Sequence, residues 1–309
     1  MRLQGLESLW KKAPVMQLNR LEFLASSGTL VVNMMIAHTN SSIAVASMIS
    51  PLESESGAKI GMSAIETITG KRIGYRDQQP FPMASTVKLL VVMATLQRVD
   101  RGLDSLDTVV PFSSSDLVQR FSAIATDHPN GGALSLRTIC ALTISESDNT
   151  GVDLLFKRIG GPPPVDAYIR ELGIAGIRVD RTERQLPEHA NAGERRDSAT
   201  PFAMASVIHR IVVGSSLCNK SKHTLLGWMM QTKTGRDRIR AVIPSSWRLA
   251  HKTGTYSNVV NDIGAAFPPS GHPIALAVFV EDVDVSKGSL LCAGAARIGL
   301  QALRQARSY

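Results

Sequence analysis

Apolar and polar positions alternate along residues 59–67 (KIGMSAIET), the period of a strand with one face buried. Thr69-Gly70 then signals a turn, and 71–76 (KRIGYR) reads as the returning strand of a hairpin. From Thr86 to Arg98 (VKLLVVMATLQR after the threonine) the chain is almost wholly apolar, which predicts a buried helix. Helical spacing recurs at about 134–145 and from Asn149 to Ile159, where Gly160-Gly161-Pro162 ends it. Residues 164–172, 202–213 and 222–232 are also helical in pattern. Between them, 178–200 is polar, charged and without period, and irregular segments of that length in a compact domain usually carry function. Two strand-like runs follow, 258–267 (NVVNDIGAAF) and 273–281 (PIALAVFVE), joined by Pro268-Pro269-Ser270-Gly271, and a helix from about 287 to 306 closes the chain. Strands at both ends with helices between them predict an antiparallel sheet built from both ends, interrupted by a helical lobe.

Composition narrows this picture without changing it. With 309 residues, 44% hydrophobic and 19% charged, the chain can bury a large core as one domain or two intimate ones. No uninterrupted apolar run reaches the length a polytopic membrane protein needs. The net charge is +8, but the basic residues are scattered, and aromatics are only 5%; neither a basic stripe nor a stacking platform for nucleic acid is present. Cys140, Cys218 and Cys292 form no metal-spaced pair, their odd number leaves a free thiol, and Cys140 belongs to an apolar helical run. At the start, Lys11, Lys12 and Arg20 precede a short apolar run (Gly28 to Ala37), and Ala44-Val45-Ala46 follows. That order reads as an export signal over residues 1–46, and hence a periplasmic or secreted protein occupying 47–309.

The candidate chemistry begins at Ser85-Thr86-Val87-Lys88, an S-x-x-K box at the start of the first buried helix. Residues three apart share a helix face, so the Lys88 amine can reach the Ser85 hydroxyl. Serine is a poor nucleophile until a base takes its proton, and lysine is such a base only where burial or positive neighbours lower its pKa. Alone the box is weak, because the pattern also occurs at Ser8…Lys11 and Ser56…Lys59. Ser147-Asp148-Asn149, ahead of a helix, would serve equally as an N-cap. Lys252-Thr253-Gly254 stands where a strand should begin and could offer Lys, Thr and backbone N–H groups to a carboxylate. It too has a double, Lys233-Thr234-Gly235, at the end of a helical run; that copy reads as structural, with Gly235 as a C-cap.

Ser-x-x-Lys, Ser-Asp-Asn and Lys-Thr-Gly in this order form the motif set of class A β-lactamases and penicillin-binding proteins. Over roughly residues 58–309 the chain resembles the class A serine β-lactamases. Phe81-Pro82-Met83, Gly160-Gly161-Pro162, Arg196 to Pro201, His251 and Asn261-Asp262-Ile263 add to the resemblance. It implies an α/β (α+β) fold: an antiparallel five-stranded sheet flanked by helices (about 47–80 and 222–309) and an inserted all-α lobe (about 81–221). It implies hydrolysis of the β-lactam amide through a serine acyl-enzyme. Ser85 would be the nucleophile, Lys88 or, through a water, Glu183 its base, Ser147 the proton relay and Lys252 its electrostatic partner. Glu183, in the Arg181-Thr182-Glu183 stretch of the polar loop, would be the base for deacylation, with an Arg181–Asp197 ion pair closing the loop's neck. Asn149 would bind the substrate's side-chain amide, Thr253 and Thr255 its carboxylate, and Phe121 would line the mouth. The partner implied is a small β-lactam, the substrate of a monomeric enzyme, with no cofactor, metal, nucleic acid or membrane.

Two departures from the family pattern stand out. Where an asparagine usually follows the loop glutamate by four residues, this chain has Pro187, then Glu188 and His189. The span from Arg181 to Asp197 is also a residue longer than usual. The arginine often found after the Lys-Thr-Gly box is missing; Val259 and Val260 are there instead, so Lys252, Thr253 and Thr255 are expected to grip the carboxylate alone. Ala84 before the nucleophile rules out a disulfide across the cleft from that position. A D-alanyl-D-alanine carboxypeptidase would share the three boxes but not the Arg-Thr-Glu loop.

Overall fold

The structure, a computed structural model, describes residues 44–187, 195–214 and 216–305. All but the last three residues of the expected export signal, and Glu188 and His189, lie outside them. A helix over 44–56 (α1) leads into the hairpin β1 (Lys59–Glu66) and β2 (Arg72–Tyr75). Then come β3 (Phe81–Pro82), α2 (Val87–Asp100), β4 (Val109–Ser113), α3 (Ala123–Asp127), β5 (Gly131–Ser135), α4 (Leu136–Ser145), α5 (Asn149–Ile159) and α6 (Pro162–Glu171). The chain returns through β6 (Ser198–Ala199), α7 (Pro201–Val213), α8 (Asn219–Met230), α9 (Ile239–Val242), β7 (Arg248–Tyr256), β8 (Val259–Phe267), β9 (Ile274–Glu281) and α10 (Val285–Gln305).

The main sheet has five strands in the order β2-β1-β9-β8-β7, with antiparallel pairing throughout. It is buried on both faces, which explains why β9 reads as an unbroken apolar run. Along β9, Ala275, Ala277 and Phe279 enter the core shared with α2, α4, α5 and α7. Ile274, Leu276, Val278 and Val280 enter the opposite core, shared with α1, α9 and α10. Small residues let α10 lie close: a Cβ on Gly299 would stand 2.8 Å from the Met62 sulfur.

The periodicity anticipated the long helices and β1, β8 and β9 to within a few residues, but β7 begins at Arg248, four residues ahead of the Lys252 where a strand was expected to start. α6 starts earlier than expected because prolines are tolerated in a helix's first turn, where no intrahelical N–H bond is needed. The expected helix near 134 begins with the strand β5, which pairs with β4. α7 falls within the stretch assigned to the helical lobe yet packs on the sheet, against β9, β1 and β8. The first core mixes sheet residues with those of α2, α4 and α5, so the two lobes meet through continuous packing. Ala44-Val45-Ala46 opens α1, and Val45 is fully buried beside Ile49. Cys140 lies in the core, as its apolar helical setting suggested. No described helix is long and apolar enough to cross a membrane.

Candidate active site

Ser85 sits in a single 3-10 turn, Ala84–Thr86, immediately before α2, rather than in the α-helix itself. The turn is braced from several sides. The Met83 N–H bonds to the Asp197 carbonyl at 2.9 Å, and the Asn261 amide donates to the Pro82 and Met83 carbonyls at 2.8 and 3.0 Å. β7 passes so close that a Cβ on Gly254 would come within 2.7 Å of the Met83 carbonyl oxygen. The glycine of the Lys-Thr-Gly box is therefore what lets the strand approach the serine. Ala84 adopts φ 46°, a left-handed conformation that costs a non-glycine residue about 1–3 kcal/mol and persists only when its surroundings enforce it.

Lys88 points from the first turn of α2 and is fully buried. Its amine donates to the Ser147 carbonyl at 2.7 Å, bonds Asn149 Oδ1, and lies 3.5 Å from Ser147 Oγ. Glu183 Oε2 is 3.8 Å away. Burial pulls the Lys88 pKa below the ordinary lysine value, while the Glu183 carboxylate pulls it back up. Ser147 is itself left-handed, φ 62°, at the turn between α4 and α5. Asp148 caps α5 through the Gly151 N–H at 2.8 Å and ties in Ser122 and the Ile124 N–H at 2.9 Å each. The Asn149 amide donates to the Arg120 carbonyl, and its N–H to that of Phe121. Phe121 stands at the cleft edge, 77% exposed.

From the other wall, Lys252 donates to Ser147 Oγ at 3.0 Å and to the Thr253 carbonyl at 2.8 Å. It too is fully buried, and burial together with the neighbouring Lys88 charge holds its pKa well below the ordinary value. His251, just before it, pairs with buried Asp262 at 2.9 Å and anchors β7 to β8.

Glu183 opens a 3-10 turn, Glu183–Gln185, within the polar loop. Arg181 Nε and Asp197 Oδ2 meet at 2.5 Å, and Asp197 also accepts the Asp180 and Arg181 N–H groups at 2.8 and 3.0 Å. The neck of the loop is thus closed by the pair the resemblance implied. Sequence reading missed Asp153: its carboxylate accepts the Glu183 N–H at 2.7 Å and the Arg184 N–H at 3.3 Å. Its position on α5, four residues after Asn149, carries it toward the loop. At the far end, the Tyr256 hydroxyl donates to the Pro187 carbonyl, linking the end of β7 to the loop.

Sequence reading also missed Arg238. Arg238 is 5% exposed and lines the cleft; its Nη2 bonds Thr255 Oγ1 at 2.7 Å, and Nη1 bonds the Gly254 and Asn261 carbonyls at 3.1 and 2.9 Å. It arrives from the segment ahead of β7, so a search after the Lys-Thr-Gly box could not find it. The duplicate boxes also resolve. Ser56 ends α1 and bonds the Leu52 carbonyl, while Lys59 begins β1 and pairs with Glu281. Gly235 is not the C-cap of α8, which is Gln231; it sits four residues on, in a turn with φ 72°.

Ser85, Ser147, Asn149, Glu183, Arg238, Thr253 and Thr255 line one cleft of about 590 Å³. Its charged lining is mixed, Arg120, Arg181, Arg196 and Arg238 against Glu146, Glu183 and Asp197. A model of the β-lactamase enzyme family matches residues 44–303. β-Lactamase L2 of Stenotrophomonas maltophilia is 36% identical over 236 residues, 76% of this chain and 77% of that one. The carbapenem-hydrolysing β-lactamase KPC of Klebsiella oxytoca is 31% identical over 263 residues, covering 84% of this chain and 89% of its own. Among solved structures, a class A β-lactamase reconstructed as the last common ancestor of Gram-negative bacteria superposes with TM-score 0.80 at 36% identity, covering 84% of this chain and 99% of its own. A β-lactamase from Xanthomonas campestris superposes with TM-score 0.79 at 31% identity, covering 84% and 97%.

Proposed function

The chain belongs to the class A serine β-lactamases, and from that premise we propose which of its residues carry the reaction. It is a hydrolase that opens the β-lactam amide and so confers resistance to β-lactam antibiotics. The observation that supports the assignment best is the convergence of Lys88, Ser147, Lys252 and Glu183 beside the strained turn of Ser85.

In this reading Ser85 Oγ attacks the ring carbonyl, and its proton leaves to the Lys88 amine, or to Glu183 through one water. Backbone N–H groups of Ser85 and Thr255 hold the oxyanion; one such donor is worth about 10²–10³ in rate. The ring C–N bond breaks and the nitrogen takes a proton through Ser147, whose hydroxyl is held by Lys252. Asn149 binds the substrate's side-chain amide and Phe121 shields the mouth. Arg238, Thr253 and Thr255, with the Lys252 charge behind them, receive the substrate carboxylate; a buried guanidinium retains its charge where a buried amine loses part of its own. Glu183 then takes a proton from water, the hydroxide attacks the ester, and Ser85 is released with its proton restored. Asp153 and the Arg181–Asp197 pair hold Glu183 in place.

Ser85→Ala tests the nucleophile. With a chromogenic cephalosporin the variant is expected to show neither turnover nor a covalent adduct by intact mass; retained hydrolysis overturns the assignment.

The enzyme acts as a monomer outside the cytoplasm, and residues 1–46 direct its export. Cleavage after Ala46 would remove the first three described residues of α1, buried Val45 among them. Sequencing the amino terminus of the secreted chain is expected to begin at or shortly before Ser47; an intact Met1 contradicts export by cleavage.

A further inference from the structure

The second Lys-Thr-Gly segment has a definite place beside the first. β7 is the edge strand of the sheet, and Thr232, Thr234 and Gly235 lie against it. The contacts recur at every second residue, as they would between neighbouring strands. Thr232 Oγ1 donates to the His251 carbonyl at 2.6 Å, and Thr234 Oγ1 meets Thr253 Oγ1 at 2.5 Å. Gly235 supplies the closeness, since a Cβ there would stand 2.5 Å from Thr253 Cγ2. Lys233 faces the other wall: its N–H bonds the Ser145 carbonyl at 3.0 Å, and its amine pairs with Glu146, the residue before Ser147. The segment therefore touches the Ser-Asp-Asn turn with one residue and the Lys-Thr-Gly strand with the next.

We propose that Lys233–Gly235 is a strap between these two walls, and that Thr234 is a positioning residue which orients the Thr253 hydroxyl toward the substrate carboxylate. This rests on the reading of Thr253 as a carboxylate donor. A threonine hydroxyl has one proton and two acceptor sites. To serve an anion, Thr253 must spend its proton on the substrate. Thr234 then donates to Thr253, so its hydroxyl occupies an acceptor site and leaves the Thr253 proton for the substrate. Without Thr234, nothing at that position stops the Thr253 hydroxyl rotating away.

The test compares Thr234→Val, Thr234→Ser and Thr253→Val, and Thr234→Val combined with Thr253→Val. Each is assayed by steady-state kinetics on a chromogenic cephalosporin and on its carboxylate methyl ester, with thermal unfolding as the check on folding. Thr234→Val is expected to raise KM for the free acid about three- to tenfold, the ordinary worth of one hydrogen bond, with kcat little changed. Thr234→Ser should restore wild-type KM. The ester should show no difference between wild type and Thr234→Val. Adding Thr234→Val to Thr253→Val should cost nothing further, because both act through one hydroxyl. Wild-type KM in Thr234→Val, equal losses on acid and ester, or full additivity of the two valine substitutions would each overturn the proposal. If Thr253→Val alone leaves KM for the free acid unchanged, the carboxylate reading of Thr253 fails instead, a result distinct from these.

Discussion

Lys88 and Lys252 are both fully buried around one serine hydroxyl, and neither holds its proton as tightly as an exposed lysine. The sign of the consequence follows directly. Lys252 is charged below its lowered pKa and neutral above it, so a rise in pH removes charge from the carboxylate grip before the ordinary value of 10.5 is reached. KM is expected to rise along an alkaline limb that starts below that value. Lys252→Arg keeps its charge throughout and should move the limb upward. A KM profile with the same alkaline limb in both proteins contradicts the role given to the Lys252 charge. The same lowered pKa bears on folding. Between the lowered value and 10.5 the unfolded chain binds protons that the folded chain does not, so this contribution to stability improves as pH rises. Residue by residue, the three motif boxes and Glu183 were readable because short spacing carries them: three residues along a helix, one turn before an N-cap, one loop flanked by charge. Arg238 and Asp153 were not. Each reaches the site from an element whose nearness to it is created only by tertiary packing.

At the level of elements, the long helices and the β1–β2 and β8–β9 strands followed their hydrophobic period. The pieces that place the chemistry carry no period at all. β3 and β6 are two residues each, and the turns holding Ser85 and Glu183 are single 3-10 turns. Such short pieces are set by cross-chain hydrogen bonds, and spacing along one segment cannot reveal them. The polar loop shows this most clearly. It is tied at its neck by Arg181 and Asp197, in its middle by Asp153, and at its far end by Tyr256 on Pro187. Proline has no side-chain amide to offer a water, yet its carbonyl gives the loop a fixed point. Tyr256→Phe removes only that donor. We expect a burst followed by a steady rate lowered roughly three- to tenfold, because the loosened loop slows deacylation and leaves acylation intact. A single phase at the wild-type rate contradicts the tether.

Across the whole molecule, one sheet separates two cores and serves the site with its edge. The face toward α2, α4, α5 and α7 joins the helical region to the sheet, so the walls that carry Ser147 and Lys252 are held by shared packing. The opposite face is covered by α1 and α10, and its residues were legible as an apolar pattern alone. Of the seven described non-glycine residues with positive φ, five line the cleft: Ala84, Phe121, Ser147, Asp197 and Ser257. Residues so placed cost stability and are kept by the surrounding framework. We propose that this framework holds Glu183 where it can empty the acyl-enzyme formed on Ser85. Intact-mass spectrometry of Glu183→Gln during incubation with a chromogenic cephalosporin tests it most directly. A lasting adduct of one acylated serine is expected in the variant and none in the wild type at steady state. Normal turnover by Glu183→Gln, with no adduct, would contradict it.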